Sequence, residues 1–208
     1  VTFQAKLGSL HDKVERVGEL AVRIAESLGA DAALARRAAE LSKCDLLTAM
    51  VGEFPQLQGL MGKYYAQHDG EPTAVAVALE ELYLPRFAGD RVPEGKVGIA
   101  VSLADKLDTI AGIFAIGQKP TGTRDPFGLR RAALGILRTT LERGLDVDLL
   151  ALVKQAVGLQ PVAASPDVVA DMWTYLMERL RGAYLESSDR KITTEMFDAV
   201  IAGQPGSP

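Results

Sequence analysis

One cysteine, Cys44, and two histidines, His11 and His68, are all that this 208-residue sequence holds of the thiolate and imidazole ligands of a zinc site. A single thiol excludes an internal disulfide framework and any cysteine-based zinc site. It suits a reducing compartment, so the protein is expected in the cytoplasm. No apolar run reaches the roughly 18 residues of a membrane-spanning helix, and no secretory leader is recognisable; no membrane partner is expected. A basic excess is also missing. The 23 Lys and Arg face 27 Asp and Glu, a net charge of -4, so nucleic acid is not attracted globally, DNA is not an expected partner, and any RNA contact must come from a local patch. There is no phosphate-cradling glycine-rich loop. The chain opens at Val1 without a methionine and ends in a breaker-rich Gly-Gln-Pro-Gly-Ser-Pro tail. Both ends read as cuts in a longer protein.

What is present is helical periodicity. Ser9 is placed to cap a helix ending at Gly29, with Leu10, Val14, Val17, Ala21, Ile24 and Leu28 on one face. Asp31 is placed to cap a second helix, to about Met50, on whose inward face Asp45 and Thr48 follow Leu34, Ala38 and Leu41. Helices follow over about 57–67 and from Pro72 to about Leu82, with His68-Asp69-Gly70 between them. Residues 96–115 are apolar nearly throughout, the mark of a central buried helix, yet carry Asp105, Lys106 and Asp108. After a loop over 117–123, Asp125-Pro126 starts a helix to about Arg143. Helices over about 147–157 and from Ser165 or Asp167 to about Leu185 follow, and Thr193 caps a last one. No strand alternation appears. The expected fold is all-α, an HD-domain-like helical bundle over 1–158 with a small helical extension over 159–208.

Three constellations could carry chemistry. The first is a metal site. HD hydrolases hold metal through an early histidine, a His-Asp pair on the next helix and a distant aspartate on a central helix. His11, Asp45 and Asp105 follow that order, but Cys44 stands where the paired histidine belongs. Imidazole is what holds a catalytic divalent metal while leaving water bound, so these four are vestigial metal-site positions and no metal or catalytic residue is expected. Asp45 and Asp105 then become internal braces satisfied by Lys43, Lys106 or backbone amides, since an unpaired buried carboxylate is costly. Asp105 and Asp108, three apart, are expected to pair with Lys106 or an arginine. Cys44, with no histidine near in sequence, reads as a small core residue.

The second is basic. Between 119 and 143, six cations (Lys119, Arg124, Arg130, Arg131, Arg138 and Arg143) face two anions, Asp125 and Glu142. Arg131 and Arg138, seven apart, share a helix face. Such arginine forks suit phosphate oxygens. The third is Asp105-Lys106-Leu107-Asp108-Thr109, whose two carboxylates on one helix side an enzyme would use as acid and base, the internal salt bridge being the structural alternative.

Longer blocks bring a resemblance. Residues 42–54 (SKCDLLTAMVGEF), 57–66 (LQGLMGKYYA), 85–90 (PRFAGD), 104–109 (ADKLDT) and 117–131 (GQKPTGTRDPFGLRR) resemble, in order, the β subunit of the bacterial tetrameric glycyl-tRNA synthetases. The resemblance covers roughly 6–145, with a looser match beyond. It implies an ATP-dependent glycine–tRNA ligase of α2β2 form, whose α subunit holds the aminoacylation site, with ATP and Mg there and no cofactor in this fragment. The β subunit would handle tRNA(Gly), and this chain would be its HD-like middle domain, lacking the B3/B4-like N-terminal and anticodon-binding C-terminal parts. The fragment alone is expected to be inactive. The family carries lysine-x-aspartate where an HD enzyme has His-Asp, and Lys43-Cys44-Asp45 matches it. The same resemblance directs RNA contact to Lys119, Arg124, Arg130, Arg131 and Arg138, and offers Lys63, Tyr64 and Tyr65 as a second surface, whose tyrosines could stack on splayed bases or be half buried at a helix end. The alternative is a metal-dependent HD-type phosphohydrolase acting on a nucleotide or phosphoester.

Overall fold

A computed structural model describes residues 1–120, 124–186 and 193–203. The loop expected over 117–123 and the tail over 204–208 therefore lie partly or wholly outside the described residues. Among the described residues the elements are all helical apart from an N-terminal ribbon, β1 (Thr2–Gln4) antiparallel to β2 (Gly8–Ser9), which no alternation in the sequence announces. Its turn drives Leu7, fully buried, toward the central helix.

Ser9 closes a capping box with Asp12 and starts α1 (Leu10–Ser27), and Asp31 caps α2 (Ala32–Leu41) through the amides of Ala33 and Leu34. The second helix stops well short of Met50. The Ser42 hydroxyl donates to the Ala39 carbonyl, and Lys43 turns into the left-handed region at φ 69°. A 3-10 turn, Cys44–Leu47, then leads to α3 (Ala49–Glu53), capped by Thr48. A second 3-10 turn, Pro55–Leu57, precedes α4 (Leu60–His68), and α5 (Thr73–Glu81) packs along α4.

The apolar stretch is α6 (Lys96–Ala115), and α1, α2, α5, α7 (Leu129–Glu142), α8 (Leu149–Gly158) and α9 (Val168–Glu186) pack around it. Leu103, Leu107, Ile110 and Phe114 of α6 are essentially inaccessible, and α9 adds Val168, Met172, Leu176 and Leu180 to the same apolar cluster. Each such side chain contributes about 1.5–3 kcal/mol of burial. The Asp125 carboxylate does cap α7, but from a turn one step back: it accepts from Leu129 and Arg130 amides at 2.8 and 2.9 Å, with Gly128 between. Thr193 caps α10 (Thr194–Ala202), which rests on α9 through Tyr184 and Phe197. Among the described residues no helix is long and apolar enough to cross a membrane.

Candidate functional site

Two carboxylates on the buried face of α6 organise the centre. Asp108, fully inaccessible, accepts from Arg16 Nε at 2.7 Å, Lys13 Nζ at 3.0 Å and Gln160 Nε2 at 3.1 Å. Asp105 lies 3.3 Å from Lys13 Nζ and 3.4 Å from Lys43 Nζ. Lys13 completes its three donors on Asp108, Thr109 Oγ1 and the Asp105 carbonyl. Burial opposes the charge of both carboxylates, but Lys13, with Lys43 beside Asp105 and Arg16 beside Asp108, outweighs it and holds both below the ordinary carboxylate range. Lys13 is pulled down by burial and, more strongly, up by the two aspartates. The cluster ties α1, α6 and the Lys43 turn together. Of the expected partners, Lys43 and an arginine do pair with these aspartates, whereas Lys106 pairs with neither. Its ammonium donates to the carbonyls of Leu82 and Leu84 and to Ser102 Oγ, and burial lowers it to about 7.

Asp45 sits on the 3-10 turn rather than on the second helix. Its Oδ2 accepts from the Gly59 amide at 2.6 Å, which pins the turn to the start of α4. Gly59 needs to be glycine there, since at φ +81° a Cβ would come within 2.5 Å of the Tyr83 ring. Cys44 is exposed, not a core residue, because the 3-10 turn rotates it outward; partial burial and Asp45 raise its thiol pKa. His11 is exposed on α1 and His68 at the end of α4. His11 and Cys44 line one groove, Asp45 and Cys44 a second and Asp105 a third. Among the described residues, no three His, Cys, Asp or Glu side chains gather as a metal site would require.

The basic segment is divided by the fold. Lys119 is ion-paired with Asp171. Arg138 donates to Glu142 at 2.8 Å and to the Asp90 carbonyl at 2.7 Å, and Arg143 grips the carbonyls of Pro93 and Val92. Both therefore clamp the 90–94 loop onto α7. Arg130 is partly buried and engaged, while Arg124 and Arg131 are exposed. On α4, Lys63 pairs with Glu80 at 2.9 Å, and Tyr64 and Tyr65 are exposed.

Arg131 borders a cleft of about 510 Å³ between the Lys43 turn, the Leu82–Arg86 segment and the start of α7. Arg86, Lys106, Tyr83 and Phe127 also line it. Lys43 Nζ rests 4.5 Å from the centre of the Tyr83 ring while reaching Asp105. Sequence reasoning missed Lys13, Arg16, Arg86 and Phe127. Lys13 and Arg16 could have been found, since each falls on the apolar face of α1 where a cation needs a buried partner.

The family profile described as glycyl-tRNA synthetase beta subunit matches residues 1–202. The glycine–tRNA ligase beta subunit of Aeromonas hydrophila is 52% identical over 209 residues, that of Hahella chejuensis 50% over 208, and that of Haemophilus influenzae (strain PittEE) 51% over 209. Each match covers 100% of this chain and 30% of the relative, so the chain spans about a third of the length of the proteins it matches.

Proposed function

The chain belongs to the glycyl-tRNA synthetase beta subunit family, and from that membership we propose that it is a non-catalytic, HD-like module that supports glycyl-tRNA synthesis by contacting or positioning tRNA(Gly). Its partners in this reading are the tRNA and the α subunit, in the cytoplasm, with ATP, Mg and the reacting glycine on the α subunit. The observation that carries the non-catalytic part is the Lys13–Asp105–Lys43 arrangement. The carboxylate that would bind a metal is neutralised by two ammonium groups, which cannot ligate one. The alternative phosphohydrolase needs His11, Asp45 and Asp105 on one ion, and they border three separate hollows.

For RNA contact, support comes from cations that keep free donors. Arg124 and Arg131 are exposed at the edge of α7, with Lys119, Arg130 and Arg138 near them in sequence but engaged with the protein. The test is tRNA(Gly) binding by the full assembly, across a salt series, after glutamine replacement at these five positions. Weaker binding with a shallower salt slope is expected, led by Arg124 and Arg131. Unchanged affinity and slope would refute RNA contact here, and one tightly bound Mn, Fe or Zn per chain would refute the non-catalytic reading.

A further inference from the structure

We propose that the cleft beside Tyr83 takes one unstacked nucleotide of an RNA strand, its phosphate on Arg86 and Arg131 and its base against Phe127. This rests on the reading of the module as an RNA-contacting one and names the site through which contact is made. The shared chemistry is that of a nucleoside phosphate.

The charge points to an anion. Three cations, Lys43, Arg86 and Arg131, and the half-protonated Lys106 line the cleft against one carboxylate, Asp105. Asp105 is already claimed by Lys13 and Lys43, and the Lys106 ammonium by carbonyls and Ser102. Among the described residues, neither Arg86 nor Arg131 is salt-bridged, and Arg131 has no hydrogen-bond partner. Arg86 spends one amino group on the Gln58 carbonyl at 3.0 Å, and its Nε is left buried without a partner, as is the Tyr83 hydroxyl. Unpaired buried donors on the wall of a cleft are what an anionic ligand would satisfy. The walls are half apolar, with Pro55, Pro85 and the ring of Phe127, which is 37% exposed, a surface on which a base can stack. The volume of about 510 Å³ lies in the range of small-ligand pockets. A concave site of this size excludes a duplex, whose phosphates lie on a convex cylinder, and admits a splayed single-stranded residue.

The experiment uses the full-length subunit with its partner subunit. Binding of tRNA(Gly) is followed across a salt series for Arg86→Gln, Phe127→Ala and Arg131→Gln, with Lys119→Gln and Arg124→Gln as changes outside the cleft. Arg86→Gln and Arg131→Gln should each weaken binding about tenfold and make the salt slope shallower. Phe127→Ala should weaken binding while leaving the slope unchanged. Should Arg86→Gln lower the unfolding temperature, Arg131→Gln, exposed and unpartnered, carries the phosphate arm alone. If Arg86→Gln and Phe127→Ala leave tRNA binding intact while Arg124→Gln weakens it, the cleft assignment falls and the proposed function stands; if all five changes are silent, both fall. A thermal shift given by 5′-mononucleotides and lost in Arg86→Gln, with tRNA affinity intact, overturns the RNA assignment in favour of a free nucleotide. Displacement of tRNA by polyglutamate as effectively as by a single-stranded oligoribonucleotide overturns it in favour of an acidic peptide.

Discussion

Replacing Asp108 by Asn is the sharpest probe of the buried ionic cluster. The amide keeps the size of the carboxylate but loses its charge, and it presents donors where Arg16, Lys13 and Gln160 already donate. Of two cations that are almost wholly buried, Arg16 would lose its carboxylate and Lys13 one of its two. Breaking such a pair from one side costs about 3–5 kcal/mol. For a chain of this length each kcal/mol moves Tm by about 2–4 °C, so a drop of roughly 6–20 °C is expected in thermal unfolding at pH 7, with a loss of about 3–5 kcal/mol in urea unfolding. The pH dependence gives a second check. Asp105 and Asp108 titrate below their ordinary 3.8 when folded, so their contribution is complete above about pH 4 and is lost as pH falls from there toward their folded values. In Asp108→Asn that acid loss should lessen by up to one proton, or about 1.4 kcal/mol per pH unit at most. The apolar double change Arg16→Met and Asp108→Leu should recover much of the stability, since Lys13 keeps Asp105 and no cation is left without a carboxylate. A destabilisation under 1 kcal/mol in Asp108→Asn, with an unchanged acid limb, would refute the view that this cluster holds α1 on α6.

Three further outcomes are expected. Gly98→Ala should destabilise by about 1–3 kcal/mol, because its Cβ would stand 1.9 Å from Glu81 Oε2, and Glu81 is held in place by the amides of Glu94 and Gly95; a neutral result in urea unfolding would contradict that packing. Asp45→Ala should cost about 1–3 kcal/mol by leaving the Gly59 amide without its acceptor, and amide exchange at Gly59 should quicken; protection equal to wild type would refute the brace. Cys44 should alkylate completely in the native protein, yet more slowly at pH 8 than a free cysteine, because burial and Asp45 raise its thiol pKa; protection until unfolding would show it is not on the surface.

The helical order was largely legible because the signals were local. Ser9, Asp31 and Thr193 cap where the sequence places them, and the apolar run of α6 begins and ends at the expected residues. The end of α2 was not legible. The periodicity of Leu34, Ala38 and Leu41 runs on through Asp45 and Thr48, while the break comes from one left-handed residue, Lys43, that no residue-type rule flags. That single turn moved Cys44 to the surface and Asp45 onto Gly59. Of the candidate site, the sequence identified Asp105 and Asp45 as braces and the cations of α7 as a group. It could not tell that Arg138 is held by a carbonyl 48 residues away, or that Arg86 and Arg131 share one cleft. Those depend on which loops meet across the bundle, and spacing along one helix does not record it.

The left-handed conformation of Lys43 places two incompatible demands on one position. The backbone favours glycine, which would relieve about 1–2 kcal/mol of steric cost, while Asp105 and the Tyr83 ring require a long cation. Glycine would ease the turn and strip Asp105 of one counter-charge; arginine would keep the charge and retain the strain. No natural side chain meets both needs, so position 43 is locked by compromise. Histidine at 44 would not build a metal site either, because the same turn directs that side chain outward.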